Sequence, residues 1–172
     1  MKKLQLVFLF VFVPIALHGE ITFPDSVYVM DEETGFKIML GLPPRYVELE
    51  YGTPKEKKLV FRYPSGIERW MVDYDDFEIE YETPSRMITF IKTSNSRFST
   101  PRVKIGDPLS NIIRIYGNPH SPTRTINNGE QTYSYRKVLS EINDHETEIT
   151  TIQFGVLHDR VVTIYLYIAF GV

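Results

Sequence analysis

The sequence predicts an α+β fold: two tandem units, each a short helical segment packed on one face of an antiparallel sheet of about four strands. Three observations predict it. Segments 41–54 and 106–119 align without a gap and share Gly41/Gly106, Pro43/Pro108, Tyr51/Tyr116, Gly52/Gly117 and Pro54/Pro119. Ordinary composition gives roughly 6% identity per column, so under about one match is expected by chance. Each segment is followed by apolar–polar alternation broken by turn residues. The turn glycines Gly66 and Gly129 stand 63 positions apart, close to the helix offset of 65. Self-similarity at a near-constant offset is the mark of a duplicated unit.

The second copy holds the clearer helix. Asp107 is placed to cap free amides of the first turn, and Pro108 sits where a missing N–H costs nothing. Leu109, Ile112, Ile113 and Tyr116 form one apolar stripe at helical spacing. Gly117 and Pro119 end the helix. In the first copy Leu42 cannot cap, and Glu48 interrupts the stripe of Pro44, Val47 and Tyr51. At two to three turns, such helices need a sheet to pack on.

The strands follow in order. Leu59–Tyr63 and Ile67–Tyr74 flank Pro64, Ser65 and Gly66 as a hairpin. Asn127, Asn128 and Gly129 turn the chain into Thr132–Val138. Phe77–Tyr81 alternates cleanly and corresponds to Thr151–Phe154. Arg86–Lys92 corresponds to Arg160–Leu166 at an offset of 74. The polar stretch Ser140–Thr147 reads as a loop, and Ser94–Pro101 as a connector between units. Before the first unit, Ser26–Met30 and Phe36–Ile38 read as a further hairpin. The expected domains are therefore a leader at 1–19, a first unit at 20–95 and a second at 96–172.

Residues 1–19 read as a secretory signal peptide: Lys2 and Lys3, then a run from Leu4 to Leu17 interrupted by Gln5 and Pro14. The run is short of the roughly 20 apolar residues of a spanning helix, so no stable membrane insertion is expected after cleavage. Removing it takes two lysines and no acid, leaving 17 Lys and Arg against 22 Asp and Glu, a net charge of −5. An acidic exported chain is poorly suited to nucleic acid. With no cysteine there is no disulfide, no thiol catalysis and no lipid anchor. A periplasmic or secreted location is expected.

Ile105–Pro108, Tyr116–Pro119, Tyr133–Tyr135 and Ile152–Phe154, with the weaker first-unit set, resemble the BLIP-like superfamily. That group includes the β-lactamase inhibitor protein, a tandem repeat, and the SmpA/OmlA outer-membrane lipoproteins, single units of this kind. The resemblance covers most of residues 36–168. It implies helices on one face of an antiparallel sheet, twice, and protein binding rather than catalysis.

Catalytic signatures are sparse. No Gly-x-Ser-x-Gly, Gly-x-Gly-x-x-Gly or Walker pattern occurs. His120, His145 and His158 sit beside turn signals, and the acids around His145 lack metal-ligand spacing. No cofactor, metal or catalytic residue is expected. Glu78, Glu80 and Glu82 alternate with Phe77, Ile79 and Tyr81, which makes them the wet face of a strand.

Strict alternation along the other strands places Met71, Asp73, Met87, Ile91, Tyr165 and Tyr167 on that face too. With Glu78 and Glu80 they form an aromatic and thioether centre with an acidic edge, the pattern of a protein-binding surface. Packing between units is the competing explanation for the same residues. The expectation is an exported, non-enzymatic module recognising a protein of unknown identity through this face. An envelope assembly or scaffold role is the alternative, and a carboxylate-dependent hydrolase the minor one.

Overall fold

The computed structural model describes residues 27–120, 124–126, 129–143 and 146–171. The expected leader lies outside them. The predicted first hairpin forms, with β1 (Tyr28–Asp31) antiparallel to β2 (Lys37–Met39). Helix α1 (Pro44–Tyr51) precedes β3 (Glu56–Arg62), β4 (Glu68–Asp73), β5 (Phe77–Glu82) and β6 (Met87–Thr93). Then come β7 (Phe98–Ser99), α2 (Leu109–Tyr116), β8 (Arg124–Thr125), β9 (Gln131–Asn143), β10 (Glu146–Leu157) and β11 (Arg160–Gly171).

Both helices are eight residues long, too short to be stable alone, and packing holds them. In α2, Ile112 and Tyr116 are fully buried, each worth about 1.5–3 kcal/mol. Ile113, expected in the stripe, is exposed. Asp107 does not cap the helix. Its Oδ2 accepts from the Lys104 N–H at 3.0 Å and from Asn111 Nδ2 at 2.9 Å, and Pro108 holds the cap position without a side-chain bond. The anchor is backbone instead. Gly106 N–H donates to Val161 O at 2.8 Å and Val161 N–H to Asp107 O at 2.9 Å. Gly41 N–H donates likewise to Ile88 O at 2.8 Å, and Ile88 N–H to Leu42 O at 3.0 Å. Both glycines need positive φ, 81° and 94°.

The strands do not divide into two helix-plus-sheet units. They form one eight-stranded antiparallel sheet in the order β3-β4-β5-β6-β11-β10-β9-β8, beside a small sheet β2-β1-β7. The joint is β6 on β11, with Phe90 opposite Tyr167, Ile91 opposite Leu166 and Lys92 opposite Tyr165. The physical reason is that both strands carry large apolar side chains on both faces. Left as edges, they would expose these groups and their unpaired backbone. The predicted fold class is therefore wrong: the molecule is mostly sheet, with two small helices on one side. Pairing also crosses position 95/96, since β7 bonds to β1.

One core serves the whole sheet. Ile79, Ile88, Ile91, Ile152, Phe154, Ile164 and Leu166 of the large sheet cluster with Val47 of α1, Ile112 and Tyr116 of α2, and Val29, Ile38 and Phe98 of the small sheet. The helices and the small sheet thus share one side. Among the described residues the opposite face carries neither. The loop expected at Ser140–Thr147 is mostly strand: β9 runs to Asn143 and β10 starts at Glu146. Register shifts near Glu146 and Glu148 break the alternation that would have revealed it.

Candidate functional site

Cross-strand register assembles the uncovered face into two rows. Lys58, Met71, Glu80, Phe90, Tyr167 and Thr151 lie side by side across six strands, exposed at Lys58, half-buried from Met71 to Tyr167 and fully buried at Thr151. Beside them run Glu56, Asp73, Glu78, Lys92, Tyr165 and Gln153. Met87 pairs with Glu82 on the same face. Seven of the eight residues assigned from sequence are thus brought together: Met71, Asp73, Glu78, Glu80, Met87, Tyr165 and Tyr167.

Ile91 is the exception. It is fully buried on the core side, between Ile79 and Leu166. The cause is a bulge: Glu80 pairs with Phe90 but Tyr81 with Ile88, so Thr89 is an extra residue. A bulge reverses the facing of everything beyond it. Phe90 and Lys92 therefore replace Thr89 and Ile91 on the open face. A second shift puts Val161 rather than Val162 inward.

Lys92 and Arg69 pair with acids on this face. Lys92 Nζ lies 3.0 Å from Glu78 Oε1, and Arg69 Nη2 lies 3.0 Å from Glu82 Oε1. Arg69 also donates to Tyr63 Oη at 2.6 Å and stands 3.8 Å from Glu80. Burial, with repulsion from Glu82 and Glu78, raises the Glu80 carboxyl above its ordinary range despite the pull of Arg69. Tyr165 and Phe90 have ring centroids 6.4 Å apart, and Tyr167 Oη donates to Gln153 Oε1 at 3.3 Å. Burial, then nearby Glu130, raises the Tyr165 hydroxyl. Glu130 is itself buried, its carboxylate occupying the space over Gly155: a Cβ there would fall 1.6 Å from Oε1.

A second feature, absent from the sequence reading, lies on the helix side. A cavity of about 660 Å³ opens between the N-terminal end of α1 and strands β3–β5, floored by Trp70, Tyr74 and Tyr81 and walled by Pro43, Pro44 and Pro54. It exists because α1 is short: only Val47 is buried, and Leu49 faces solvent. Glu68 fixes the indole, accepting from Trp70 Nε1 at 3.1 Å through Oε2 while Oε1 pairs with Arg62. Lys57 Nζ lies 5.2 Å from the Trp70 ring and 5.4 Å from that of Tyr81. Burial, then the charge of Glu48, pushes the Tyr74 hydroxyl up to about 12.

Only general signals in the sequence pointed here. Trp70 is the single tryptophan, and Pro43, Pro44 and Pro54 bracket the weaker helix. Nothing local says that α1 stops short of β3. Among the described residues, no group of His, Cys, Asp or Glu is arranged to hold a metal ion. His145 lies outside them. No described helix is long and apolar enough to cross a membrane.

No family model matches the chain, and no curated protein matches it. Solved structures do. An extracellular protein containing a SCP domain, from Bacillus anthracis, matches with 12% identity and a TM-score of 0.45, over 74% of this chain and 43% of that one. A cysteine-rich secretory protein from Staphylococcus aureus matches with 13% identity and a TM-score of 0.45, over 74% and 42%. The chain spans less than half the length of either. At this distance the likeness says nothing of activity or partners. The BLIP-like resemblance implied a helix-plus-sheet unit twice over, and the one continuous eight-stranded sheet corrects that expectation; none of these comparisons supports an internal repeat.

Proposed function

We propose that the chain is an exported, non-enzymatic protein-binding module that meets its partner on the uncovered face of the large sheet. The observation that carries this reading is the cluster Phe90, Tyr165, Tyr167 and Met71 at the β6–β11 joint, bordered by the Arg69–Glu82 and Lys92–Glu78 pairs. Aromatic and thioether side chains at a centre with a charged border are the anatomy of a recognition patch. The basic and apolar leader at 1–19 supports export.

The test is site-specific photocrosslinking in the native envelope, with the crosslinker at Tyr167 and a control at Leu49 on the other side. A discrete adduct from Tyr167, absent from Leu49 and lost on Phe90→Ala, is expected. Equal labelling from both positions refutes the assignment.

A further inference from the structure

The two ends of the large sheet differ in how much apolar surface they expose. At one end β8 covers only Gln131 and Thr132 of β9, and Glu130 and Tyr135 beside them are buried. β3 is seven residues long, every one of them exposed, with Leu59, Val60 and Phe61 at 41%, 47% and 50%. No strand lies along its outer side among the described residues. A long edge with apolar residues at its middle is the kind of edge that sheets pair with another chain.

The cavity beside it gives that edge a reading frame. Lys57 and Leu59 pair with Val72 and Trp70, so they share the face of the Trp70 cavity. A strand added along β3 points alternate side chains to the same face, and thus over Trp70, Tyr81 and the prolines. The skipped residue Val60 turns Phe61 to the other face, opposite Arg69. An incoming strand therefore meets apolar surface on both sides.

Charge selects the occupant. Arg45, Lys57 and Arg86 line the cavity, and Lys58 is on the other face of the same edge strand, opposite Met71. Of the described acids lining it, Glu68 pairs with Arg62 and Glu48 stands outside any ion pair beside three basic side chains. This is a positive island on a chain of net charge −3.

We infer that the free edge of β3 and the adjoining Trp70 cavity form a second docking site, which takes an extended acidic segment of a partner protein as an added strand. An apolar or proline side chain of that segment enters the cavity. The site adjoins the face proposed above through Lys58 and Phe61, and Tyr167→Ala tells the two apart.

The experiment selects random 12-residue displayed peptides on the full chain without residues 1–19, then measures binding of the enriched peptides made synthetically. The expected peptides carry two or more acids around a proline or aliphatic residue, and they slow amide exchange in β3. Lys57→Glu with Lys58→Glu, both at exposed positions, should weaken them about tenfold or more, and less in high salt. Trp70→Ala should do the same, while Tyr167→Ala leaves binding unchanged. Enrichment of peptides without acids, protection elsewhere than β3, or no enrichment overturns the inference. So does a dimer in sedimentation that dissociates on the double lysine reversal.

Discussion

Arg97 closes on Asp31 with two bonds, Nε to Oδ1 at 2.7 Å and Nη2 to Oδ2 at 2.5 Å, and so fastens β1 to the connection between β6 and β7. Asp31 is fully buried, and Tyr51 of α1 donates to it at 2.9 Å. Arg97 keeps a quarter of its side chain exposed. Removing Arg97 strands a buried carboxylate, whereas removing Asp31 frees a guanidinium that can reach water. Arg97→Ala should therefore cost about 3 kcal/mol and Asp31→Ala less, by urea titration of each variant. Equal losses would mean that the carboxylate is not desolvated.

The same pair sets a pH dependence. Burial opposes the Asp31 charge, but the Arg97 pair and the Glu33, Tyr51 and Thr34 donors outweigh it and hold the carboxyl far below its usual value of 3.8. The unfolded chain thus binds a proton that the folded chain refuses. This contribution is complete above the unfolded value and is lost as pH falls below it. Denaturation midpoints should drop steeply below about pH 4 in the parent. In Asp31→Asn that slope should be shallower.

Glu80 works in the opposite sense. Its raised carboxyl favours the protonated form in the folded state, so its ionisation costs stability as pH rises through the folded value. Glu80→Gln should gain stability relative to the parent at pH 7 compared with pH 4, read as the difference between two urea midpoints at each pH.

Two glycine types should respond differently. Gly106→Ala meets open space, so its cost is backbone strain at φ 94°, about 1 kcal/mol. Gly155→Ala strikes the Glu130 carboxylate and should cost about 1–3 kcal/mol. Adding Glu130→Ala should recover part of the second loss and none of the first, as a double-mutant cycle reads.

The bulge at Thr89 makes adjacent positions diverge. Ile91→Ala should destabilise by about 2–5 kcal/mol through an unfilled cavity in the core. Phe90→Ala, on the open face, should cost less stability while losing the crosslinked adduct. Thermal melts with crosslinking at Tyr167 separate the two.

Local features were legible in the sequence because local forces make them. The β3–β4 hairpin formed around Gly66, α2 ended at Gly117, and β5 alternated as written, with Phe77, Ile79 and Tyr81 buried. Register across distant strands was not legible. One extra residue at Thr89 leaves no mark on composition, yet it exchanged Phe90 for Ile91 on the candidate face. The pairing of β6 with β11 was missed because each strand, viewed alone, is compatible with either an edge or a centre. The Trp70 cavity was missed for a third reason: it is where a helix is absent.

The β6–β11 joint also sets an order of events. Its partners stand 71 to 77 positions apart, so the middle of the sheet closes only after β11 has been made. Until then β6 is an apolar ribbon with a free flank, and such long-range closure is slow and prone to misassociation. A chain released early, or one that pauses between α2 and β11, would present Met87, Ile88, Phe90 and Ile91 of β6 without their partner strand. Its yield should accordingly depend on a holding chaperone more than on final stability.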